Sequence, residues 1–431
     1  LKILWEIKGY YNNTKRFKMD LSWQILNKLE KEYGESFYLL DIEKFKKNYQ
    51  EFLEAFRSIY PNSNIGYSYK TNYTPKLCQY VNSVGGYAEV VSRLEYDLAI
   101  HIGVPPSRII FNGPLKLKED IENAIAAGSI VNLDSLQEVS IVKELAQTLP
   151  DRQFAVGLRC NFDISSSRIS RFGFDAEGGD LEYAFNTLEQ LENCSVEGLH
   201  CHFSTSERSV ESYALRAKKM LILCDLLFQE RQPQFINLGG GFFGKMSEDL
   251  RKQFDCHIPS YQEYAEAIAF QFVNRFSHNS SPELILEPGV AVVADVMKFV
   301  SKVVGVKTVR SRRLALVTGS IQNVKPTLNG KNLPTKFYKN DKTCDREKLA
   351  GPVDLVGYTC MEHDCLYQEY PGEIAVDDYV VFDNVGAYTI VFKPPFIRSS
   401  PPIISYNSCS NQYELIKRRE TFQDLFSTYV I

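Results

Sequence analysis

The chain has 431 residues, 44% of them hydrophobic and 24% charged, with a net charge of −4. That length exceeds one ordinary core and predicts a large domain with a smaller one, while the balanced charge excludes a nucleic-acid binder working through a basic surface. No apolar run approaches the roughly 20 residues of a membrane span, and the ten cysteines, without a CxxC pair, fit reduced thiols better than a disulfide framework or a zinc knuckle.

The opening LKILWEIKGYYNNTKRFKMD lacks the apolar core of a signal peptide, so a cytoplasmic location is expected, with neither membrane nor nucleic acid as a partner. Residues 1–38 form an N-terminal segment predicted to join the C-terminal β-domain. From Asn64, which opens a run read as a half-buried strand ending on Lys70, eight β-like runs follow one another: NIGYSYK, GYAEVVS, RIIFNG, SIVNLDS, FAVGLRC, VEGLHCHF, QFINLGGG and ELILEPG. Between them lie segments of helical periodicity such as TPKLCQYVNSV, SLQEVSIVKELAQTL and SVESYALRAKKMLILCDLLFQE. Eight such units predict an α/β fold, a (β/α)8 TIM-type barrel over residues 39–289. In a parallel barrel the strand ends share one face, which would gather Lys70, Ser92, Asn112, Asp134, Arg159, His202, Gly239 to Gly241 and Glu287. After Gly289 the runs AVVADVMKFVSKVVGVKTV, LALVTGSI, VDLVGYTC, DYVVFDNVGAYTI and PIISYN carry no long helical spacers. Residues 290–431 therefore read as a second, antiparallel all-β domain.

Taken singly, the polar strand ends have ordinary explanations. A lysine at a strand end seeks water, a glutamate before Pro-Gly is a turn residue, a glycine run is a tight turn, and Cys360 is a small buried hydrophobe. Taken together, they supply what pyridoxal 5′-phosphate requires. Lysine offers the amine for an imine, a glycine turn lets backbone N–H groups approach a phosphate, and a carboxylate keeps a pyridine nitrogen protonated. His200 and His202, two apart on one strand, share a face and also suit a metal, which gives a rival reading as a metal-dependent barrel hydrolase. That reading needs further ligands at strand ends, and His101, His257, His278 and His363 fall elsewhere.

Seven segments carry a closer resemblance: YSYKTN, SRFGF (Ser170 to Phe174), GLHCHFSTS, LGGGF, EPG, GYTCMEHD and GAYT, in that order. Across nearly its whole length the chain resembles the fold-type III pyridoxal-phosphate decarboxylases, the diaminopimelate and ornithine decarboxylase family, whose fold is alanine racemase-like. The resemblance implies Lys70 as the cofactor lysine, His202 stacked on the ring, and Glu287 at the pyridine nitrogen. It implies Gly239, Gly240, Gly241, Tyr388 and Thr205 at the phosphate, and Cys360 returning a proton to Cα after CO2 has left. It also implies a homodimer whose subunits share active sites, with no metal. An acidic pyridine partner favours decarboxylation over the alternative on this fold, an amino-acid racemase or epimerase, and retention of Lys70, Glu287 and Cys360 argues against a catalytically dead relative. The chain departs from the family where its EPGR arginine is Val290 and where the acidic residue after the catalytic cysteine is Met361. Asp364 and Lys325 remain as substrate-binding candidates. These departures predict an amino acid or amino-acid-derived biosynthetic intermediate other than diaminopimelate, ornithine or lysine, of the kind that feeds siderophore or antibiotic synthesis.

Overall fold

The computed structural model describes residues 19–165, 169–229, 231–276, 281–340, 346–392, 395–407, 410 and 412–430; residues 1–18 of the N-terminal segment and His278 lie outside them. Two compact units emerge. The larger comprises Lys46–Lys245 and Phe254–Ala294; the described part of the other comprises residues 19–45, Met246–Gln253 and the chain from Asp295 onward.

The chain enters through a helix, Trp23–Tyr33, and strand β1, Phe37–Asp41. The barrel strands follow as β2 (Ser63–Ser68), β3 (Tyr87–Val90), β4 (Ile109–Phe111), β5 (Ile130–Leu133) and β6 (Phe154–Asn161). A two-residue strand, β7 (Phe174–Asp175), lies beside β6; β8 (Cys194–His200), β9 (Phe235–Asn237) and β10 (Glu283–Leu286) complete the set. All pairings are parallel, β5 pairs with β6, β6 with β8, and β10 returns to β2, so eight strands close a ring with β7 outside it. Each of the eight runs read from the sequence supplies one strand of that ring. β2 is buried along its whole length rather than on one face, because in a closed parallel barrel the helices cover the outside and side chains fill the inside. Lys70 stands just beyond it, in a single 3-10 turn, Tyr69–Thr71.

The strand-to-helix turns are set by Ser-x-x-Glu patterns. Ser92 accepts the Glu95 N–H at 3.3 Å while Glu95 Oε2 takes the Val91 N–H at 2.8 Å, and Ser135 with Glu138 repeats the arrangement, Glu138 capping the Asp134 N–H at 2.7 Å. Ser92 is therefore spent as a helix cap.

Inside the ring the residues form layers. Tyr87, Ile110, Phe235 and Ile285 pack together as an apolar layer, with Ile130 against them. Two residues further along each strand the side chain points inward again, and there the sequence places Glu89, Asn112, Asn132, Asn237 and Glu287. Every one of those five is buried. Gly157 keeps the ring narrow, since a Cβ there would stand 2.0 Å from Asn132 Oδ1.

The other unit is β-rich, as the sequence indicated. Its strands are β1, β11 (Met297–Val309), β12 (Arg312–Val317), β13 (Thr335–Tyr338), β14 (Lys348–Ala350), β15 (Val353–Val356), β16 (Cys365–Tyr370), β17 (Glu373–Ala375), β18 (Tyr379–Phe382), β19 (Ile403–Asn407) and β20 (Gln412–Lys417). The main sheet runs β16-β15-β12-β11-β1-β19-β20, with β18 also on β11 and β13 on β18, while β14 and β17 pair apart. Most pairings are antiparallel; β1 with β19 and β12 with β15 are parallel, so the sheet is mixed. The run AVVADV before β11 forms the short helix Val290–Val293 and a turn rather than strand, with the Val292 and Val293 N–H groups both bonded to Gly289 O. Leu26, Leu29, Phe37, Leu39, Val300, Tyr379 and Ile404 make this unit's core.

Candidate active site

The polar layer at the C-terminal end of the barrel is one hydrogen-bonded network. Asn112 Nδ2 donates to Glu287 Oε1 at 2.7 Å and to Glu89 Oε1 at 3.0 Å, joining the two carboxylates. Asn237 Nδ2 donates to the same Glu287 oxygen at 2.7 Å, and Asn132 Nδ2 steadies Asn112 by donating to its Oδ1 at 2.8 Å. Glu287 Oε2 is left facing the two imidazoles, 3.5 Å from His200 Nε2 and 3.9 Å from His202 Nδ1. Burial acts to raise the Glu287 pKa, yet the neighbouring His200 and Lys70 outweigh it and hold the carboxyl well below its usual range. Lys70, about 30% exposed at its side chain, pairs with the fully buried Glu89.

His202 sits just past β8. Its Nδ1 accepts the Gly240 N–H at 2.9 Å, which leaves Nε2 as the protonated nitrogen of a neutral ring. Desolvation, with help from nearby Lys70, pushes its pKa well down, in keeping with that tautomer. Arg159 fixes the backbone below the ring, donating to His202 O at 3.2 Å while its other arm pairs with Asp134 at 2.9 Å. His200 is buried and neither ring nitrogen has a hydrogen-bond partner. The metal reading meets a lone pair already in use, and among the described residues no three His, Cys, Asp or Glu side chains are placed to hold an ion.

The glycine turn after β9 is forced by close approach. A Cβ at Gly240 would stand 2.1 Å from Glu287 O, and Gly239, at φ +67°, would put one 2.3 Å from Cys201 O. Of the three amides, Gly239 donates to Asn237 Oδ1 at 2.9 Å and Gly240 to His202, whereas the Gly241 N–H has no partner among the described residues. Gly239 and Gly240 thus build the turn, and Gly241 is the one with a donor to offer. Thr205, in the loop after His202, is half-buried and accepts from Arg216 Nη2 at 3.3 Å.

These features fit pyridoxal phosphate: a lysine amine at the mouth, a buried ionised carboxylate with one oxygen uncommitted, a neutral imidazole beside it, and a turn with no room for side chains. Glu89, Asn132 and Asn237 were missed as functional residues in the sequence reading. Their signal was a polar residue flanked by aliphatics in a strand covered on both faces.

In the β-rich unit, Cys360 is exposed on the loop joining β15 to β16. Asp364 is 3% exposed, and both of its oxygens are taken: Oδ1 by the Ile321 N–H at 2.6 Å, Oδ2 by the Thr359 N–H at 3.0 Å and hydroxyl at 2.6 Å. It pins the loop and does not present a free carboxylate to a substrate. Lys325 is likewise buried, its Nζ donating to Lys331 O at 3.0 Å, and burial pushes its pKa down. Tyr388 adopts φ +63°, a left-handed conformation that side chains seldom take, with its ring stacked on Phe392 at 5.7 Å.

The family profile described as "Pyridoxal-dependent decarboxylase, pyridoxal binding domain" matches residues 43–294. The chain belongs to the pyridoxal-dependent decarboxylases. It is therefore a carboxy-lyase, and the racemase alternative is not favoured. Over 420 residues it is 24% identical to the diaminopimelate decarboxylase of Methanocaldococcus jannaschii, covering 94% of this chain and 93% of that one. It is 25% identical, over 95% of its own length and 97% of the other's, to a decarboxylase of an L-glutamyl acyl-carrier protein from Niallia circulans. A crystal structure of the M. jannaschii diaminopimelate decarboxylase superposes with a TM-score of 0.82 at 26% identity, over 94% of both chains. Among the described residues no helix is long and apolar enough to cross a membrane.

Proposed function

We propose that this pyridoxal-dependent decarboxylase holds pyridoxal 5′-phosphate at its barrel mouth through Lys70 and works in the cytoplasm as a homodimer. Its substrate is an amino acid or amino-acid-derived intermediate other than the common diamino acids. The carrying observation is Glu287: a buried carboxylate, kept ionised by its neighbours and bonded on one oxygen only, is poised to hold a proton on a pyridine nitrogen. Bound pyridoxal phosphate supplies the electron sink for the pair left when the Cα carboxyl departs as CO2. The Lys70 amine, with Glu89 beside it to take or return a proton, holds the aldehyde carbon. The neutral His202 ring offers a face for stacking, and Thr205 and Gly241 bind the phosphate. Cys360, carried by the partner chain, gives its proton to Cα.

The substrate reading rests on Val290 and Met361, which bring no charge where a distal carboxylate or ammonium would need one, and on Asp364 and Lys325 being engaged internally. An unpaired charged group costs upwards of about 1–3 kcal/mol, tenfold or more in rate. The carrier-linked glutamyl substrate named for the Niallia relative supports a larger substrate with its distal part bound by other contacts.

The purified holoenzyme should carry a visible absorbance band that borohydride fixes to the Lys70 peptide, and Lys70→Ala should lose it; a mutant that keeps the covalent band refutes the lysine assignment. Steady-state kinetics on meso-diaminopimelate, ornithine, lysine and arginine test the substrate class. Turnover of any of them with kcat/KM above about 10⁴ M⁻¹s⁻¹ would overturn it.

A further inference from the structure

The helix Val210–Phe228 carries a charge that the proposed chemistry has not used. Arg216 is completely buried. Its Nη2 donates to Thr205 Oγ1 at 3.3 Å and to Ser212 Oγ at 3.2 Å, and its guanidinium lies 4.3 Å over the Tyr213 ring. Nε and Nη1 are buried with no hydrogen-bond partner, and no carboxylate pairs with it among the described residues. Arginine cannot shed its proton, so a buried guanidinium with two idle donor atoms and no acid is costly unless an anion is meant to complete it. The surroundings say where that anion goes. Tyr213, packed under the guanidinium, donates its hydroxyl to Gly240 O at 2.8 Å, and a Cβ on Gly241 would stand 3.1 Å from that hydroxyl. Arg216 and the glycine turn therefore share one wall, with Thr205 on the loop between them.

We propose that Arg216 is the buried cation of a phosphate-monoester site made with Thr205 and the Gly241 N–H. The assignment rests on the cofactor reading above. By donating to Thr205 Oγ1, Arg216 occupies a lone pair of that hydroxyl and turns its hydrogen outward, toward a phosphate oxygen. The idle donors add an unscreened positive field beneath the same anion. Arg216 is thus a positioning residue that acts through Thr205, and the phosphate in turn completes an otherwise unpaired charge.

The test compares pyridoxal 5′-phosphate with pyridoxal, which lacks the phosphate. Dissociation constants for both are measured on the cofactor-free protein by absorbance and fluorescence titration, with inorganic phosphate as a competitor. Arg216→Met should reduce the preference for the phosphorylated form by roughly 10- to 100-fold, the worth of charged hydrogen bonds, while leaving pyridoxal affinity unchanged. Arg216→Lys should recover part of the preference, and Thr205→Val should lose a smaller part. An unchanged preference in folded Arg216→Met overturns the assignment; should that variant fail to fold, an unchanged preference in Thr205→Val does so. A wild-type chain that binds neither form overturns the proposed function itself.

Discussion

In the barrel, Glu89, Asn112, Asn132, Asn237 and Glu287 each stand one inward step beyond an apolar residue of the same strand. Their positions are fixed by eight parallel pairings and by one another. In the β-rich unit, Cys360 stands exposed on a loop tied down by the Asp364 carboxylate, which gathers Ile321 and Thr359, and by backbone bonds such as Tyr358 N–H to Gly319 O. The barrel's polar network cannot move without unfolding the ring, so it suits chemistry common to every substrate. The loop lies outside the strands and can be retuned at less cost to the sheet, so it suits the proton donor and substrate contacts proposed for it.

If that contrast is right, substitutions in the two regions fail differently. Cys360→Ala should leave stability and the cofactor spectrum untouched while slowing amine formation by about 10²–10⁴, as expected for a missing general acid. Wild-type amine yield would remove the cysteine from the mechanism. Asn237→Leu, of similar volume, should do the reverse. It takes one of two donors from Glu287 Oε1 and leaves the Gly239 N–H without its acceptor, so the orphaned amide should cost about 1–3 kcal/mol of stability, read as a lower urea midpoint. An unshifted midpoint would mean the network is not what fixes the barrel mouth.

The same contrast explains how much could be read from the chain. Strand existence was legible because aliphatic runs bounded by polar residues recur eight times, and Lys70, His202 and Glu287 closed three of those runs. Glu89 was not, because the run GYAEVVS was read to its last polar residue, Ser92, which proves to be a helix cap. Counting two residues on from Tyr87 would have found it, as counting from Phe235 would have found Asn237. The roles of Asp364 and Lys325 lie beyond such counting. Asp364 takes an N–H from Ile321, 43 residues away, and only the tertiary structure shows that its carboxylate is already spent. Arg216 was invisible for the same reason, lying in a helix whose polar positions look solvated until the fold buries one of them.

Asp364→Asn sharpens the comparison on the loop side. It keeps the shape but replaces one acceptor oxygen with an amide that the three donors cannot all use, so the loop loosens. Rate should fall roughly tenfold, with cofactor binding unchanged. A change in cofactor affinity as large as the change in rate would show that the two regions are not independent.

The smallest expected effect lies in the barrel and depends on pH. Glu95, 6% exposed, caps the Val91 N–H close to Glu89 and Lys70. Burial, with a contribution from Glu89, raises its pKa from 4.5 to about 7 against the opposing pull of the Val91 N–H and Lys70. The folded chain therefore keeps a proton that the unfolded chain releases, and the stability this carboxyl contributes is present below pH 4.5 and is lost as pH rises toward 7. Over the unit between about pH 5.5 and 6.5 the loss approaches ~1 kcal/mol. Glu95→Gln, which mimics the protonated side chain and can still accept the Val91 N–H, should flatten that slope and leave the variant the more stable of the two at pH 8. Urea unfolding of the cofactor-free protein across this range, followed by circular dichroism, measures it, and parallel pH profiles for variant and wild type would show that Glu95 is already ionised in the fold.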